Sequence, residues 1–162
     1  MPFAIAHALI PILILQITGR YSEKLRSVLT WHRLLIVGFF GFASDLDVAV
    51  GLIVNLFYHA GELHRTLSHS LFIPLIIFAA AISVKKWRIG LMFIGFGWLT
   101  HPILDFIVSG TLPLFYPFRG EFGLKILAEN ASTFSNILTL IALDITVLVI
   151  WILYNRKILF RK

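Results

Sequence analysis

The chain contains no cysteine and only eight acidic residues among 162. Without thiols there is no disulfide, no cysteine zinc finger, no iron–sulfur cluster and no thiol nucleophile, so any chemistry falls to histidine, carboxylates and hydroxyls. Charge of either sign is scarce, with Asp, Glu, Lys and Arg together making 14% of the residues against roughly 25% in an ordinary soluble domain. Apolar residues fill the space, at 59% of the chain and a mean hydropathy of +0.91. Such a composition belongs to an integral membrane protein, for which the lack of cysteine says nothing of redox compartment. The net charge of +6 would suggest nucleic acid only if the cations formed a basic face with groups that read or stack on bases. They stand between apolar runs instead, so no nucleic-acid partner is expected.

The apolar runs cover 3–18, 34–58, 71–84, 89–109 and 134–155. One crossing takes about 20 mainly apolar residues. These runs predict an all-α, polytopic transmembrane helix bundle of about five spans, forming one integral membrane domain over 1–162. The first run has no basic residue ahead of it and no small-residue cleavage site after it, so it reads as a retained helix rather than a signal peptide. Three connections carry Arg20, Lys24, Arg26 and Arg33, then Lys85, Lys86 and Arg88, then Arg156, Lys157, Arg161 and Lys162, eleven of the fourteen cations. Arg65, Arg119 and Lys125 occupy the other two. The positive-inside rule therefore puts the N-terminus outside and the C-terminus in the cytoplasm, in the cell's inner membrane, with membrane lipids as neighbours. Trp31, Trp87, Tyr21 and Tyr154 beside the basic connections fit an interfacial aromatic belt. Prolines and glycines make 110–133 an irregular outer connection, a candidate lid carrying Phe115, Tyr116, Phe118 and Phe122.

Ionisable groups inside spans cost roughly 2.5–3.5 kcal/mol at the helix centre, and they usually face a bundle interior with a function. Here they gather at mid-membrane or in the outer half: His7 in span one, Asp45 and Asp47 in span two, His64 and His69 ahead of span three, His101 and Asp105 in span four. His101 and Asp105, four apart, share a helical face and can present two donors to one or two cations. Asp45 and Asp47, two apart, cannot share such a face, so span two is expected to break near Ser44, as spans do where backbone lines a polar cavity. His7 alone suits an interhelical hydrogen bond, and His64 with His69 would be ordinary in a polar loop. Together the four histidines and three aspartates point to a metal site. Asp144, in the middle of span five, suits either a residue orienting a ligand or a polar contact between helices.

His7, the D-x-D of Asp45-Leu46-Asp47, the H-R-x-x-x-H-S from His64 to Ser70, the H-x-x-x-D from His101 to Asp105 and the P-L-x-x-P from Pro113 to Pro117 follow one another in an order that resembles the YdjM-like family of predicted membrane-bound metal-dependent hydrolases. The resemblance covers about residues 7–118. Two positions depart from the family pattern: Ser44 stands where a proline usually precedes the first acid, and Val108 where a threonine often follows the last. The resemblance implies a hydrolase and names no substrate.

Seven donors exceed one tetrahedral zinc and suit two divalent cations with a bridging carboxylate and open positions for water. Zinc or manganese is favoured, although histidine with carboxylate also accepts iron or nickel. The expected reaction is hydrolysis of a phosphoester or other ester of a lipid or amphipathic substrate, in which a water acidified by metal attacks the ester. Arg65 can fork two hydrogen bonds to phosphate oxygens, and Glu62 can carry a proton. The competing readings are a divalent-cation transporter and a metal-stabilised membrane protein without catalysis. Against transport, the inner halves of the spans are nearly pure Leu, Ile, Val, Phe and Gly.

Overall fold

In lipid a segment must satisfy its backbone hydrogen bonds within itself, so each apolar run folds as helix. The structure is a computed structural model that describes residues 4–58, 67–108, 111–118, 120, 122–124 and 133–159. Helix α1 is Ala4–Tyr21, α2 Glu23–Val28, α3 Trp31–Ala43, α4 Leu46–Tyr58, α5 Phe72–Ser83, α6 Arg88–Val108 and α7 Thr133–Leu159. Single 3₁₀ turns at Leu67–His69 and Lys85–Trp87 precede α5 and α6. The architecture is all-α, as expected; among the described residues β pairing is limited to a bridge between Leu112 and Phe122. Ser22 and Thr30 start α2 and α3 sharply, their hydroxyls accepting from the backbone N–H of Leu25 and Arg33.

Among the described residues, α1, the unit Lys85–Val108 and the Ser135–Arg156 part of α7 are long and apolar enough to cross a membrane. Helices α3 and α4 pass the same test only as a pair, bent by 49°. The break falls at Ser44 and Asp45, where expected, and short-range turns bridge it: Asp45 N–H donates to the Phe42 carbonyl and Val48 N–H to that of Asp45. Helix α5 has 12 residues and rises only about 18 Å, well short of a hydrocarbon layer of about 30 Å. Beside the expected five or so spans, the described residues thus hold three crossing helices, or four with the bent pair, plus one short apolar helix. Hydropathy counts apolar residues whether or not they complete a crossing.

Helices α1, α3 and α6 pack together at the centre, with α5 against α6 and α7 against α1. Two glycines allow the central approach. A Cβ on Gly41 would overlap the His7 carbonyl, and one on Gly97 would overlap that of Val37, so small residues let these backbones meet as they do in membrane bundles generally. Toward the basic connections Ile12, Leu15, Leu34, Val37 and Phe93 form a buried apolar cluster. His7 stands thirteen residues before Arg20, and His101 thirteen beyond Arg88. Each therefore lies about 20 Å along its helix from the basic boundary. Helix α3 ends and α5 begins near this level, so the polar residues cluster where two helices stop part-way across.

Candidate metal centre

His101 is fully buried on α6, and its Nδ1 lies 2.8 Å from the carbonyl of Gly41 on α3. A carbonyl only accepts, so Nδ1–H donates and the neutral ring presents a lone pair at Nε2. His69 arrives from the 3₁₀ turn before α5 and is equally buried. Its Nδ1 faces Ser68 Oγ at 3.0 Å and Asp47 Oδ2 at 3.3 Å, while the Ser68 hydroxyl donates to that same carboxylate. The His69 Nδ1–H therefore has acceptors behind it, and Nε2 presents its lone pair inward. Trp98 on α6 ties the turn in place by donating its Nε1–H to the Ser68 carbonyl at 2.9 Å.

The two Nε2 atoms stand 3.1 Å apart. Asp45 Oδ1 lies 3.4 Å from that of His101 and 3.6 Å from that of His69. Asp105 Oδ2 lies 3.6 Å from His69 Nε2 and 3.7 Å from His101 Nε2. Around zinc, with bonds of about 2.0–2.2 Å, neighbouring ligand atoms in a tetrahedron are separated by about 3.3–3.5 Å, close to the spacings observed. The two facing imidazole lone pairs and the carboxylate oxygen on each side of them repel unless positive charge lies among them, and His and carboxylate donors are what such a cation takes. The buried Asp45 Oδ1 has no hydrogen bond among the described residues. Asp45, His69 and His101 thus make one group that could hold a metal ion.

Asp105 also faces a second direction. Its Oδ1 lies 3.3 Å from His7 Nε2, and the His7 ring stacks on that of His101 at 4.0 Å. His7, His101 and Asp105 form another group of suitable spacing. Since Gly41 takes His101 Nδ1, His101 has one lone pair to offer, and it points to the first group. The buried His7 ring nitrogens have no hydrogen bond among the described residues.

The structure therefore brings together His7, Asp45, His69, His101 and Asp105. Asp47, read from the sequence as a ligand, falls outside both groups and stands behind His69, because successive odd positions at the start of α4 point apart. A carboxylate on the far nitrogen of a ligand histidine fixes its tautomer and raises its basicity. His64, Arg65 and Glu62 lie outside the described residues. Asp144 accepts from the backbone N–H of Ala6 at 2.9 Å, a polar contact between helices that holds the segment bearing His7. Ser68, Trp98 and the Gly41 carbonyl were not singled out from the sequence. The L-S-H-S run around His69 carried a hint only for Ser68, whose position next to a candidate ligand suits a supporting hydroxyl.

A helical bundle with apolar spans around a buried His/Asp cluster defines a membrane protein with a candidate metal centre. The chain matches the model of the YdjM inner membrane protein family over residues 1–160, and it belongs to that family. Among curated proteins and among solved structures no match was found.

Proposed function

We propose that this protein is a membrane-embedded metal-dependent hydrolase acting on an ester, foremost a phosphoester, of a lipid or amphipathic substrate. The observation that carries the reading is that Asp45 and Asp105 each lie within 3.7 Å of the facing Nε2 atoms of His69 and His101, with Asp105 also reaching His7. Zinc or manganese is the favoured ion; Asp45, His69 and His101 would hold one, and His7 with Asp105 would hold a second. Metal bound there supplies Lewis acidity and a water acidic enough to act as a nucleophile near neutral pH. The protein's part is to hold Asp105 between the two positions and to keep the imidazoles in one tautomer.

Asp45 is the donor with a way out: its side chain is 17% exposed, while those of His7, His69, His101 and Asp105 are fully buried. A substrate would approach along that side. The eleven-to-three bias of cations supports a basic end in the cytoplasm and a site in the outer half of the bilayer. The apolar cluster of Ile12, Leu15, Leu34, Val37 and Phe93 lies between the site and the basic connections, which disfavours a continuous ion path.

The test is elemental analysis of the purified protein together with a screen for phosphate or headgroup release from phospholipids. Stoichiometric metal and hydrolysis lost together in Asp45→Ala and His101→Ala support the reading. Hydrolysis that survives in both variants overturns the site assignment. Metal without any hydrolysis leaves a metal-stabilised membrane protein, and metal uptake into proteoliposomes makes it a transporter.

A further inference from the structure

At the opposite end of the bundle, some 20 Å from the His/Asp cluster along α1, a second polar feature stands apart from the proposed reaction. A cavity of about 290 Å³ between α1, α2 and α7 is lined by Gln16, Arg20, Arg26, Tyr154 and Asn155, among others. Its polar side chains are held in place. Asn155 is 1% exposed, and it exchanges two hydrogen bonds with Gln16, Gln16 Nε2 donating at 2.9 Å and Asn155 Nδ2 donating back at 3.2 Å. Tyr154 donates its hydroxyl to the Gln16 carbonyl at 3.0 Å, which fixes its ring beneath Arg20. The Arg20 guanidinium carbon sits 4.1 Å from the centre of that ring.

Arg20 has no carboxylate partner among the described residues. Among the same residues Arg26 has only Glu23, at 3.6 Å and largely in solvent. Stacking on an aromatic face leaves the N–H edges of a guanidinium available, and that fork matches the oxygens of a phosphate. Beside the cavity the flank of α7 offers lipid-facing apolar residues, Val149, Ile150 and Leu153, each about half exposed. A ligand with one anionic end and long apolar chains fits both parts. We propose that this cavity binds the phosphodiester headgroup of an anionic phospholipid at the basic boundary of the membrane, with its acyl chains along α7. Basic pockets between helices on the cytoplasmic side recognise lipid headgroups in this manner.

Thermal unfolding of the full chain in neutral detergent, titrated separately with phosphatidylglycerol, phosphatidylcholine and inorganic phosphate, tests the proposal. Saturable stabilisation by phosphatidylglycerol alone is expected. The double variant Arg20→Gln/Arg26→Gln should bind it roughly 25-fold more weakly, at about fivefold per cation. Lys85→Gln/Lys86→Gln removes the same charge from another basic connection and should leave the titration unchanged. Equal weakening in both double variants means diffuse attraction and overturns the site, as does an unaltered titration in Arg20→Gln/Arg26→Gln. Stabilisation by inorganic phosphate to the same extent overturns the lipid assignment. Should the double variant lose helicity by circular dichroism, Arg20→Lys decides: it keeps the charge, loses the fork, and should bind about fivefold more weakly. Wild-type affinity in Arg20→Lys overturns the proposal.

Discussion

Neither His69 nor His101 can turn without losing the partner behind it. The Gly41 carbonyl holds one ring, and Asp47 with Ser68 holds the other, so both imidazoles are oriented before any ligand arrives. This separates residues that would bind metal from residues that would position its ligands. His101→Ala should purify with almost no bound metal, whereas Asp47→Asn should still bind with an affinity lowered by about 10–100-fold. Competition against a chelator of known affinity, read by elemental analysis, measures both. Equal and complete loss in the two variants would return Asp47 to the ligand set. Ser68→Ala should fall between wild type and Asp47→Asn, because it removes one hydroxyl and leaves the carboxylate in place.

At the scale of elements, the centre depends on how closely α1, α3 and α6 approach. Gly41→Ala would push a methyl into the His7 carbonyl while moving the acceptor of His101. A cost of about 1–3 kcal/mol in stability is expected from such overpacking, with bound metal lost as well. Gly90→Ala, on the same helix as His101 but with nothing within 4 Å of the added carbon, should be neutral or stabilising by up to about 1 kcal/mol. Melting curves of the two variants in the same detergent check the contrast. Asp144 acts between elements too. The first N–H groups of a helix lack partners within it, and Asp144 on α7 satisfies that of Ala6 near the start of α1. Asp144→Ala should cost about 1–2 kcal/mol, and Asp144→Asn, which keeps an acceptor oxygen, clearly less.

On the scale of the whole molecule, the cation bias makes a prediction that the absence of cysteine renders simple to check. Ser27→Cys, at a basic connection, should resist a membrane-impermeant maleimide in intact cells, and Leu124→Cys, in the opposite connection, should react. The reverse pattern would invert the topology. Metal removal would also act on the whole fold, since ions held by residues from α1, α6, the turn at Ser44–Asp45 and the turn before α5 would tie these parts together. Chelation should lower the melting temperature, and restoring the ion should raise it in a concentration-dependent way. An unchanged melting temperature would mean that helix packing alone holds the centre.

How much of this was legible beforehand differed by kind of feature. The helices were, because an apolar run in lipid has few alternatives. The break at Ser44 and Asp45 was also legible, from two acids spaced to leave one helical face. Five of the candidate ligands meet as their shared depth suggested. The run 71–84 matched α5 to within a residue at each end, but nothing in it shows that the chain before it turns inward to deliver His69. Not legible either were the roles of Trp98 and the Gly41 carbonyl, whose partners lie 30 or more residues away; for Asp144 the sequence left two readings open, and the structure shows the polar contact between helices.

The sequence by itself determined the membrane class, the helical composition, the expected polarity of the bundle and the stock of His and Asp donors, because hydropathy, charge bias and residue type are local properties. Only the tertiary structure decided which donors face one another and which stand behind them. That choice rests on distances of a few ångströms between α1, α3 and α6, and those distances depend on where glycine lets one backbone approach another.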